Sequence, residues 1–156
     1  MSRKHTHRKY RPADPTSWAY AIARNADMDQ AHATKIVNLI RIAYQRMREG
    51  NGTDEDFDRL AAALNVSLMR AEKIGQPVVD GINAGLHALM AADRRNGEHG
   101  KYGFSGEDIL AMNAAVDLYE DLVRKSSPRQ MQEALNEAAK RMRRGEVIQV
   151  EAGDTR

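Results

Sequence analysis

Apolar positions Ala33, Ile36, Val37, Ile40, Ala43, Tyr44 and Met47 recur at steps of three and four residues, which places them on one side of a helix. Gly50-Asn51-Gly52 ends that helix, because glycine adopts the left-handed closing conformation at little cost. Thr53 predicts a capped start for the next one, with Asp54, Glu55 and Asp56 at the positive end of the helix dipole and Phe57, Leu60, Ala61, Leu64 and Leu68 as its buried stripe. At Gly75-Gln76-Pro77 the pattern breaks, since proline has no amide hydrogen and disfavours a helical residue before it. A third helix begins there, with Val78, Val79, Ile82, Leu86, Leu89 and Met90 as its stripe. Gly81 and Gly85 lie four apart on it, each costing about 1 kcal/mol relative to alanine, and close approach of another helix or a second copy of the chain is the expected reason.

A polar loop is expected from Arg94 to Gly103. Ser105, with Asp108 three residues on, predicts the next start, followed by Ile109, Met112, Ala115, Val116, Tyr119, Leu122 and Val123. Ser127-Pro128-Arg129-Gln130 repeats the logic with proline in the first helical position, ahead of Met131, Ala134, Leu135, Ala138 and Met142, and Gly145 ends that helix. Thr16 or Ser17 predicts a cap for a short helix through Asn25, with Trp18, Ala21 and Ile22 on one face. Val147-Ile148-Gln149-Val150 is suited to pairing as a strand or to staying extended. The pattern is that of an all-α protein, a single-domain bundle of five to six helices: an extended basic arm over 1–15, the bundle over 16–145 and a tail over 146–156.

Composition agrees with one domain: 156 residues, 5 % aromatic residues and a mean hydropathy of -0.66. The absence of cysteine excludes a disulfide scaffold, a thiolate metal site and a cysteine nucleophile. No apolar stretch approaches the roughly 18 to 20 residues of a membrane span. The basic start runs into Tyr10, Pro12 and Pro15 instead of a signal-type segment, so an unprocessed cytoplasmic protein with no membrane partner is expected.

The net charge of +2 hides a segregation. Arg3, Lys4, Arg8, Lys9 and Arg11 stand in the first eleven residues without an acid, and Lys140, Arg141, Arg143 and Arg144 cluster near the other end. Residues 12–139 hold 14 bases and 19 acids, an acidic body between basic ends. The arm, with Tyr10 among its bases, is suited to phosphates or to an acidic protein surface, and as a solvated tail it aids solubility.

Chemistry at a metal or a nucleophile finds little support. His5 and His7 lie in the arm, while His32, His87 and His99 are far apart and form no paired-ligand motif. Within its helix, His87 is expected at the core or its boundary. Asp54, Asp56 and Asp58 alternate like the opening of a calcium loop, but Arg59 stands where that loop needs glycine and Asn65 where it needs glutamate. No nucleophile elbow or phosphate-binding glycine loop occurs, so no catalytic residue, metal or cofactor is assigned. Residues 60–75 have the spacing of a helix-turn-helix: Asn65 in the turn, Ser67 capping the second helix, and Arg70 and Lys73 facing a groove. One continuous helix through Asn65 explains the same pattern.

The segment Arg8-Lys9-Tyr10-Arg11-Pro12, the Asp-rich helix start from Thr53 to Leu60, the run Ala84-Gly85-Leu86-His87-Ala88-Leu89 and the stretch Gln130-Met131-Gln132-Glu133-Ala134-Leu135 resemble a group of uncharacterised small proteobacterial phage and prophage proteins that begin with Lys-Tyr-Arg-Pro. The likeness spans most of the chain on short motifs and departs at Ala13 and Asp14, where the group continues basic and proline-rich. It implies a phage or prophage origin, action in the cytoplasm of a bacterial host, and a plain helix around Asn65. It brings no catalytic residue.

The leading expectation is a non-enzymatic interaction or regulatory protein that binds a host or phage macromolecule through its basic arm and an adjoining helix face. The alternatives are a DNA-binding transcriptional regulator using residues 60–75 and an enzyme with an unrecognised site. A host or phage protein is the expected partner, with nucleic acid and a second copy as the others.

Overall fold

Three helix starts in this chain use one device. The side-chain oxygens of Thr53, Ser105 and Ser127 accept the amides of Asp56, Asp108 and Gln130, whose own side chains accept the amides of the three capping residues. Each reciprocal pair satisfies two amides that a helix start leaves without partners. The structure, a computed structural model, describes residues 30–146, and five helices lie within them: α1 Gln30–Arg48, α2 Asp54–Ala71, α3 Gln76–His99, α4 Gly106–Lys125 and α5 Pro128–Arg143. No strand occurs among the described residues, and the molecule is an all-α bundle. The helix expected over 16–25, the arm, and the Val147–Val150 segment lie outside them.

Helix α2 is the axis of the bundle and touches all four others. Its sequence permits this because Ala62, Ala63, Ser67 and Ala71 are small and buried, so neighbours approach from several sides, while Leu60 and Leu64 fill the centre. Helices α3 and α4 pair closely where the two glycines lie. A Cβ on Gly85 would collide with the Cβ of Ala115 and meet Leu64 Cδ1 at 3.2 Å. The spacing thus serves packing within one chain. A second cluster, Val66 and Met69 against Met131, Ala134, Leu135 and Ala138, seats α5 on α2.

Three sequence expectations are corrected. The polar stretch after Arg94 is not a loop: α3 runs to His99 and ends at Gly100, whose φ of 70° is left-handed. Nothing from Arg94 to His99 forbids a helix, and Arg95 ties the turn down by donating to the Gly103 carbonyl at 2.8 Å and to Asp108 Oδ2 at 2.6 Å. The helix-turn-helix over 60–75 is absent, because α2 continues through Asn65 and the turn falls after Ala71. Ser67 caps nothing; it is buried and its hydroxyl donates to the Ala63 carbonyl one turn back at 2.8 Å. His87 is exposed, set away from the core stripe that Leu86 and Leu89 share.

Candidate interaction surfaces

The arm residues Arg3, Lys4, Arg8, Lys9, Tyr10 and Arg11 lie outside the described residues, and the other basic candidates are distributed by the packing of α5 across the end of α2. Arg141 donates back to Glu72 through two parallel bonds of 2.6 and 2.7 Å and, through its Nε, a third bond to Glu137 Oε1 at 3.0 Å. The bond from Arg141 holds the Glu72 carboxyl below the usual carboxylate range. Arg70 donates its Nε to Ser126 Oγ at 2.9 Å, and Lys73 is exposed beside it. Lys140, Arg143 and Arg144 are exposed at the C-terminal end of α5.

Arg70, Lys73 and Arg141, which belong to two separate candidate sites in the sequence, thus line one groove of about 340 Å³. Met69 and Ala134 form its floor, and Glu72, Gln130, Glu133 and Glu137 complete its walls. No linear pattern brings residues 69–73 beside 130–141; only the α2–α5 crossing does.

A second surface was missed by the periodicity argument because it lies off the core stripe. On α1, Leu39 and Ile42 are 41 % and 50 % exposed, and with Lys35 and Arg46 they make an outward stripe at steps of four, three and four. The signal was present in the sequence as two large aliphatic residues out of phase with the stripe. Helix α1 also carries Lys35, Arg41, Arg46 and Arg48 and no acidic residue. Of these, Arg41 is engaged across to α4 by Asp117 at 3.0 Å and by Glu120, while Arg46 lies 3.6 Å from the buried Asp56. The other exposed large apolar residues, Ile74 and Leu110, sit on different elements from this pair.

Groups with altered acidity have structural explanations. Burial and a 2.7 Å bond to Asp54 push the Tyr102 hydroxyl up, and burial with nearby Asp54 pushes the Asp93 carboxyl up. Tyr44 donates to Asn113 Oδ1 at 2.8 Å, tying α1 to α4. Among the described residues no group of three or more His, Asp or Glu side chains is placed to hold a metal ion, and no helix is long and apolar enough to cross a membrane. No family model, curated protein or solved structure matches the chain.

Proposed function

We propose that this protein is a non-enzymatic interaction protein that binds an acidic partner protein through its basic arm and the outward stripe of α1. The observation that carries the reading is that Leu39 and Ile42 are exposed on a helix with four bases and no acid, the first of the described helices. Apolar contact supplies affinity there, and like-signed charge on arm and helix steers an acidic surface toward it. The resemblance of the Lys-Tyr-Arg-Pro start supports a phage or prophage source and a partner in the cytoplasm of a bacterial host.

The test is affinity capture from a bacterial lysate at about 0.15 M salt, where the screening length is about 8 Å, with and without nuclease. A discrete protein retained by the native chain after nuclease treatment, and lost with the double variant Leu39→Ser, Ile42→Ser, supports the reading. Both positions are exposed, so the variant's stability changes by no more than about 0.5 kcal/mol per site. Retention that disappears with nuclease, together with tight salt-sensitive binding of labelled DNA, replaces the reading with nucleic-acid recognition.

A further inference from the structure

We infer that the groove between the end of α2 and α5 is a receptor for a carboxylate-bearing peptide segment, whose acidic group is held by Arg70 and Lys73. This site is separate from the α1 stripe and does not rest on it. Glu72 and Glu137 are both held by Arg141, and Glu133 is held by Arg129 at 3.0 Å. Every acid in the walls therefore has an arginine against it.

Arg70 and Lys73 are in no such ion pair. Among the described residues the Arg70 side chain gives only its Nε, to Ser126 Oγ, and the Lys73 ammonium makes no hydrogen bond or close ion pair, its charge acting only at a distance on Glu72. The Ser126 bond orients the guanidinium and leaves both Nη nitrogens to donate. Gln130 offers its side-chain amide nitrogen nearby, because its Oε1 is taken by the Ser127 amide at 2.9 Å. Three donors from two elements thus line a concave site whose floor, Met69 and Ala134, suits an aliphatic stem.

The same geometry favours a peptide over a nucleic acid. Each strand of a duplex carries one phosphate per about 3.4 Å of helix axis, so a backbone laid along the groove would press its next charges against Glu133 and Glu137. A single carboxylate at Arg70 and Lys73 has beside it only Glu72, whose charge Arg141 already engages.

The experiment is an NMR titration of the full nitrogen-labelled chain with an acetylated, amidated peptide that carries one Glu among Leu and Ser residues, its counterpart with Gln in place of that Glu, and a short duplex DNA, all at one salt concentration. The Glu peptide is expected to move the Arg70 Nε signal, the Gln130 side-chain amide and the backbone amides of 69–74 saturably, while the Gln peptide leaves them in place. Lys73→Gln and Arg70→Gln should each weaken binding about tenfold, the order for losing one charge-assisted hydrogen bond, and Lys140→Gln should not. Shifts confined to other residues, equal shifts with the Gln peptide, equal weakening by Lys140→Gln, or saturation of the same signals by DNA at lower concentration would each overturn the assignment.

Discussion

Gly81 and Gly85 occupy one face of α3 yet differ in what an added methyl group would meet. At Gly85 the obstacle is the Cβ of Ala115, which moves only if α4 moves, whereas at Gly81 it is the end of the flexible Leu118 side chain. Gly85→Ala is therefore expected to destabilise by about 1 to 3 kcal/mol despite its better helix propensity. Gly81→Ala should be close to neutral, and urea unfolding of the two variants measures the contrast. Tyr119 poses the opposite problem. It is buried on α4, and its hydroxyl has no hydrogen-bond partner among the described residues. Tyr119→Phe removes a desolvated polar group at almost constant shape and should stabilise by about 1 kcal/mol, read from the same denaturant curves.

Between elements, the helices are tied at their exposed edges by arginine clamps: Arg141 of α5 on Glu72 beyond α2, Arg95 of α3 on Asp108 of α4, and Arg41 of α1 on Glu120 of α4. The Arg41 bond holds the Glu120 carboxyl below its ordinary range, with Arg124 adding to the effect. Burial raises the Asp108 carboxyl, but the Ser105 amide and Arg95 outweigh it and leave it low. A carboxylate depressed in the folded state contributes stability above its unfolded pKa, of about 4, and loses that contribution as pH falls through the folded value. The urea midpoint should accordingly be level near neutrality and fall on acidification below about pH 4. Asp93 behaves with the reverse sign, since burial and Asp54 raise it. Its stabilising contribution exists only at acid pH and is lost as pH rises through its folded value. Asp93→Asn should thus raise the melting temperature at pH 7 and leave it unchanged near pH 2, where both states are protonated.

At the scale of the whole molecule, one large core joins α1 to α4, and a smaller cluster attaches α5, the two sharing Ile36, Leu68 and Val123 at their border. The smaller cluster has fewer apolar groups to lose, so α5 should open before the rest. Leu135→Ala is expected to cost about 2 to 4 kcal/mol at the α5 contact and to accelerate hydrogen exchange in α5 while α2 and α3 stay protected. Leu60→Ala, in the centre, should cost as much or more and accelerate exchange in every helix.

The chain's local chemistry was enough to reveal the helices and their starts, because a capping box, a proline in the first turn and a three-and-four apolar period each act within a few residues. Thr53, Ser105, Ser127 and Pro128 were readable for that reason. After Arg94 polarity suggests a loop although the chain stays helical, because the period marks burial rather than helicity and an outer helical turn needs no apolar face. Similarly, Asn65 and Ser67 are compatible with a turn or a helix, and only the neighbours packed on every side of α2 select the helix. The groove was illegible for a related reason: Arg70 and Lys73 stand more than fifty residues from Gln130, and α5 must cross α2 before they share a surface. Sequence by itself determined an all-α chain with basic clusters, since propensity, capping and charge are local. Tertiary structure alone decided which helix is central, which apolar residues remain exposed on α1, and which charges neutralise one another, because each depends on contacts between residues far apart in the chain.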